Sequence, residues 1–233
     1  MKLEEVLSPS FRDYQKPTQP MVVISTDSDF CQEVVARGWL TREQMAHAAE
    51  RYRLGRSKSG RCIFWMIDRQ GVVRDGHIGD AWASQMLKQR ESQLLDRWHA
   101  EHCLFGLHAL PKEQRAVAAV VERERTAVIM SELFPQYVWL ASGYPSNLTP
   151  GNLEALQGCS VILFPRTDPT MTTYCSCLEL ADVVQREYGL HITVSSLLED
   201  HATPEQKAAQ IDLLDYLLSH TEITEIAEIN SFR

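Results

Sequence analysis

Two acidic positions, Glu122 and Asp168, each follow an apolar run, AVAAVV over 116–121 and VILF over 161–164. Carboxylates released at the ends of buried strands suit acid/base work, or the sharing of a divalent cation through oxygen ligands. Asp200, beyond a later apolar run, is a candidate third carboxylate. Beside Asp168 stands Arg166, whose guanidinium opposes a cation and suits a phosphate. As bare helix signals, Glu122 would favour a helix start through its charge, and Asp168 would cap a helix beginning near Met171. Spacing alone leaves both readings open.

A second group is cationic. Arg51, Arg53, Arg56, Lys58 and Arg61 fall in a stretch free of Asp and Glu, with Tyr52 inside it, and Arg69 and Arg74 follow. Such a run neutralises phosphates and steers a strand. As the end of a helix it equally complements the C-terminal dipole. The chain of 233 residues carries a formal charge of −8, so any nucleic-acid contact is expected to be local rather than driven by bulk charge.

The elements that must position these residues differ along the chain. Thr41 with Gln44 forms a capping box opening a helix REQMAHAAERY, whose Met45, Ala48, Ala49 and Tyr52 share one stripe. Residues 61–67, a turn at 68–71 and residues 72–74 predict a β-hairpin, with a further short strand over 76–78. After Pro111 strands alternate with helices: strands over 116–121, 137–141, 161–164 and 191–196, and helices over 126–134, 151–156, 171–188 and 204–219. Strands apolar on both faces predict a parallel sheet covered on both sides, a doubly wound α/β fold. Its strand C-termini would then gather Glu122, Ser142, Arg166, Asp168, Glu199 and Asp200 on one rim. The expected division is an extended arm or linker remnant over 1–25, a small α+β unit over 26–110, the α/β domain over 111–220 and a tail over 221–233.

Other chemistry is poorly supported. The six cysteines contain no CxxC pair, so neither zinc nor disulfides are expected, and Cys62, Cys103 and Cys159 are expected as buried thiols. No stretch approaches the length of a membrane span, so a cytoplasmic protein without membrane partners is expected. Walker and GxGxxG loops are absent from the sequence.

The segment VVERERTAVIMSELFPQYVWLASG, followed by GCSVILFPRTD, resembles the Toprim domain of bacterial primases, topoisomerases and related nucleases. More narrowly it is similar to the primase-like Toprim proteins of bacterial mobile genetic elements, and GRCIFWMIDRQGVVRDGHI and CLFGLHAL resemble the region ahead of their Toprim fold. The likeness spans roughly residues 30–218. It implies a Toprim-like doubly wound sheet preceded by a small primase-like subdomain. It also implies a protein that acts on or binds DNA, single-stranded by preference, in replication or transfer of a mobile element, alongside other replication or mobilisation proteins.

By the same resemblance Glu122 matches the family's glutamate, an acid/base or metal-linked group in catalytic members. Asp168 matches the second aspartate of an Asp-x-Asp pair whose first position is Arg166, and Arg125 stands where lysine is usual. Asp212 and Asp215 resemble an Asp-x-x-Asp-Tyr-Leu ending, and on a helix they would share a solvated face. The implied catalytic residues are Glu122 and Asp168, and the implied Mg²⁺ ligands are Glu122 and Asp168 with Asp200 replacing the missing acid. The implied DNA contacts are Arg51, Arg53, Arg56, Lys58, Arg61, Arg74, Arg125 and Arg166. At about 5 Å and an effective dielectric near 20, a guanidinium repels a divalent ion by several kcal/mol. The expectation is therefore a degenerate metal site that binds more than it catalyses; the alternative is an active Mg-dependent primase or nuclease using Glu122 and Asp168.

Overall fold

The computed structural model describes residues 22–78, 81–82, 102–111 and 116–220. Most of the expected arm and all of the expected tail lie outside these residues.

The chain opens with α1 (Asp29–Ala36) and α2 (Arg42–Tyr52). The reciprocal Thr41–Gln44 capping box is formed, and α2 buries the stripe Met45, Ala48, Ala49 and Tyr52. Next comes an antiparallel sheet in the order β1 (Gly55–Arg56), β2 (Cys62–Ile67), β3 (Val73–Ile78) and β4 (Ala81–Trp82). The predicted hairpin is β2–β3. Residues 76–78 belong to β3 rather than to a further strand, because Gly76 and His77 keep pairing with Trp65 and Phe64.

The alternating half follows the predicted order: β5 (Val117–Val121), α3 (Glu124–Leu133), β6 (Val138–Ala141), α4 (Pro150–Glu154), β7 (Ser160–Leu163), α5 (Thr172–Tyr188) and β8 (His191–Val194). All pairings are parallel and the spatial order is β6-β5-β7-β8. The expected last helix over 204–219 is instead α7 (Pro204–Ala208) and α8 (Leu213–His220), preceded by a short α6 (Leu197–His201). The break falls where Gln210 takes a left-handed backbone with φ 52° and Asp212 starts a new cap.

Alternation along the strands sorts the core onto two faces. Ala119, Val121, Trp139 and Ala141 pack with α1, α2, α3 and α8. Ala118, Val120, Leu140, Val161, Leu163 and Ile192 pack with α4 and α5. The first cluster is continuous with the N-terminal helices. Tyr52 stacks on Phe105 at 5.0 Å, Phe105 meets Phe64 edge-on, and Phe64 meets Phe30. The Tyr52 hydroxyl donates to the Trp139 carbonyl at 2.8 Å. Gly106, at φ +81°, is required beside this seam, since a Cβ would lie 2.8 Å from Tyr52 Cε1 and 3.0 Å from the Trp139 oxygen. Phe105 also forms a two-way backbone bridge with Ala141, covering the edge strand β6.

Removing only the buried hydroxyl tests whether this seam ties α2 to the sheet. Tyr52→Phe strands the Trp139 carbonyl and is expected to cost about 1–2 kcal/mol, with unfolding by urea remaining one transition. Separate transitions for the two halves would contradict a shared core.

Candidate functional site

The strand order places a switch between β5 and β7, because the chain leaving β5 enters α3 on one face and the chain leaving β7 enters α5 on the other. Side chains just past these two strands therefore flank one crevice. Glu122 and Arg166 occupy those positions, with Arg166 Nε 3.3 Å from Glu122 Oε2. The two are 18% and 29% exposed on the glutamate and arginine side respectively, so the pair is partly withdrawn from water. The Nε–H is not aligned for a hydrogen bond, and among the described residues Arg166 makes no hydrogen bond, so the contact is an ion pair. Burial raises the Glu122 carboxyl above its ordinary pKa, against the pull of Arg166 and Arg123.

Asp168 is on the same lip but is turned into the backbone. Its Oδ1 accepts from the Thr170 amide at 2.9 Å, the Thr170 hydroxyl at 2.7 Å and the Thr172 amide at 3.1 Å, and its Oδ2 accepts from the Thr173 amide at 2.8 Å. A carboxylate offers about four lone-pair positions, two on each oxygen; here three donors converge on Oδ1 and one on Oδ2, which commits the group to the local backbone. Burial alone would raise its pKa, but the donors hold it well below the usual carboxylate range. Asp168 is the cap of the turn leading into α5. Asp200 is engaged with the Ser196 hydroxyl at 2.6 Å on the exposed side of α6.

Among the described residues no three His, Cys, Asp or Glu side chains come together closely enough to hold a metal ion. The expected set Glu122, Asp168 and Asp200 is not gathered into one cluster: Glu122 faces a guanidinium, Asp168 is turned into backbone and hydroxyl donors, and Asp200 accepts from the Ser196 hydroxyl on an exposed helix face. These residues do not fit a Mg²⁺ site. Asp212 and Asp215 also differ from a solvated face. Asp212 is buried ahead of α8 and accepts from the Thr126 hydroxyl at 2.6 Å, while Asp212 and Asp215 accept each other's amides. Arg123 closes this cap at 3.0 Å from Asp215. Burial, then the Asp215 charge, raises the Asp212 carboxyl.

The expected cations separate into two groups. Arg51 lies 3.2 Å from Glu132 and donates to the Ser131 carbonyl, tying α2 to α3. Arg74 pairs with Asp68 at 2.7 Å, and Arg125 lies over the Trp39 ring. These three have structural partners. Arg53, Arg56, Lys58 and Arg61 make no ion pair among the described residues; Arg56 donates only to the Asp27 carbonyl. Arg53 sits at the left-handed end of α2, and Arg56, Lys58 and Arg61 are exposed around the β1–β2 turn.

Sequence reasoning missed a polar seam where the antiparallel sheet docks on this rim. Asp75 and His77 alternate on β3 and so share a face. His77 Nδ1 lies 2.8 Å from Glu124 Oε1, just past β5, and edge-on to Tyr144. His102 Nε2 lies 3.0 Å from Asp75, which is fully buried, and its other ring nitrogen is near Asn147. The polar alternation in VRDGHI was the available signal; partners 27 to 47 residues away were not.

Residues 28–167, more than half of the chain, match the model of the family described as a domain of unknown function (DUF6371), and the chain belongs to that family. None of the curated proteins matches. One solved structure that it resembles is the primase fragment of the bacteriophage T7 primase-helicase protein, at 14% identity and a TM-score of 0.45, covering 71% of this chain and 70% of that one. Among the described residues no helix is long and apolar enough to cross a membrane.

The Asp168 cap has a pH signature. A carboxylate held low in the fold stabilises fully above its unfolded pKa near 4, and that contribution shrinks as pH falls below it. Asp168→Asn is expected to cost about 1–2 kcal/mol at neutral pH, the gap to wild type narrowing in denaturation curves taken below about pH 4. A gap independent of pH would contradict the ionised cap.

Proposed function

We propose that this protein is a primase-like Toprim module that binds DNA, preferentially single-stranded, in the replication or transfer of a mobile element, and that it does so without a carboxylate metal centre. The observation that carries the reading is the Arg166–Glu122 pair at the switch between β5 and β7. In catalytic Toprim folds that crevice gathers carboxylates around a hydrated ion. Here the cationic charge is covalently part of the chain, and its partner is the glutamate that the resemblance assigns to chemistry.

The proposed DNA path runs over Arg53, Arg56, Lys58 and Arg61 and toward the rim at Arg166. Flexible cations without ion-pair partners release counterions when phosphates bind, whereas Arg51 and Arg74 would first have to give up carboxylates. Arg51, Arg74 and Arg125 therefore leave the contact set. The alternative, a Mg-dependent primase or nuclease using Glu122 and Asp168, needs an Asp168 carboxylate that the cap already uses.

A titration of fluorescent single-stranded oligonucleotide across salt concentrations, run beside a primer-synthesis assay, tests this reading. Neutralising Arg53, Arg56, Lys58 and Arg61 to alanine together should weaken binding and reduce the slope of log K against log salt by roughly 3, with no primer made by wild type. Salt-insensitive binding, an unchanged slope, or primer synthesis lost in Glu122→Gln would each contradict it.

A further inference from the structure

The β2–β3 turn reaches across to the C-terminal end of α4, and the two border a cleft of about 490 Å³, a size that takes a small ligand. Arg69, Gln70 and Arg74 line it from the hairpin, and Asn152 and Gln157 line it from the side of α4. The cleft is at the turn end of the hairpin, whereas the rim meets the hairpin at its other end, through His77 and Glu124. None of the residues on the proposed DNA path lines it.

Each arginine is anchored at one edge and keeps further donors. Asp68 Oδ1 accepts the Gln70 and Val72 amides, both at 2.9 Å, and its Oδ2 accepts from Arg74 Nε at 2.7 Å. That carboxylate is 8% exposed, so its charge is used inside the turn and on Arg74. Arg69 donates from Nη1 to the Ala155 carbonyl at 3.2 Å and forms no ion pair among the described residues. A guanidinium carries five N–H donors, and these contacts use one on each arginine. Two positioned guanidiniums with donors to spare suit the oxygens of a phosphate.

The rest of the lining is mainly neutral and polar. Burial pushes the Cys103 thiol up to about 12, so it stays protonated beside the arginines. Asn152 donates from Nδ2 to the Asn147 carbonyl at 2.7 Å, which leaves its Oδ1 as an acceptor. Gln70 and Gln157 add amide donors and acceptors, and the remaining acid of the lining, Glu154, is exposed.

We propose that this cleft binds a small phosphate monoester of about mononucleotide size, its phosphate held by Arg69 and Arg74 and its other polar atoms by Gln70, Asn152 and Gln157. Arg74 keeps its carboxylate in the complex, because Asp68 holds Nε and the phosphate meets the Nη groups. The site is separate from the rim and stands whether or not the protein binds DNA.

Isothermal titration of the full chain with ribonucleoside 5′-monophosphates, with the matching nucleosides and with orthophosphate tests this. The expected result is saturable binding of a monophosphate, binding about tenfold weaker or worse for its nucleoside, and displacement of the monophosphate by orthophosphate. Arg69→Gln and Arg74→Gln should each weaken the monophosphate about tenfold or more, as loss of a charge-assisted hydrogen bond does. No saturable binding of any monophosphate overturns the proposal, as does equal affinity for the nucleosides or undiminished binding in Arg69→Gln. Circular dichroism establishes that each variant folds. If Arg74→Gln does not, Arg74→Lys, which keeps a charge beside Asp68 but loses the paired Nη donors, takes its place with the same expected loss.

Discussion

The organising constraint is a charge pair at the lip of a parallel sheet. Glu122 and Arg166 end adjacent strands whose outgoing chains wrap opposite faces, so the geometry of the sheet brings them together whatever their chemistry. A half-buried glutamate would by itself be costly to ionise, and burial does raise its pKa. The guanidinium offsets part of that cost. Removing either partner leaves the other poorly compensated, so the pair acts as a fixed electrostatic feature more than as a source of stability.

Around this pair the remaining acids are drawn into backbone work. Asp168 saturates the turn into α5, and Asp212 with Asp215 caps α8 with help from Thr126 and Arg123. Glu199 accepts from the Thr167 hydroxyl and pairs with Lys207, holding the loop after β7 against α6 and α7. The rim is thus a set of locally neutralised carboxylates. Among the described residues, cations without an ion-pair partner lie exposed around the β1–β2 turn of the antiparallel sheet.

Much of this was legible in the sequence. The four parallel strands announced themselves because each is apolar on both faces, and the Thr41–Gln44 box and the β2–β3 turn carry local signals that tertiary contacts did not override. The meeting of positions 122 and 166 followed from sheet topology alone. What was not legible depends on distant partners. Arg51 and Arg74 read as free cations, but Glu132 and Asp68 claim them; the capping reading of Asp168 was available, but its dominance rests on donors the spacing did not reveal. The short α1 has only Cys31 and Val34 buried, too few to show a helical stripe. The split of the last helix turns on one left-handed residue, Gln210, that is not a glycine.

The central claim is that a guanidinium holds the place of a cation at this rim. Isothermal titration with Mg²⁺ and Mn²⁺ addresses it most directly, comparing wild type with Glu122→Gln and with Arg166→Asp. The account predicts no saturable binding by wild type, and a gain of binding when position 166 becomes acidic beside Glu122. Micromolar binding by wild type that disappears in Glu122→Gln would contradict it.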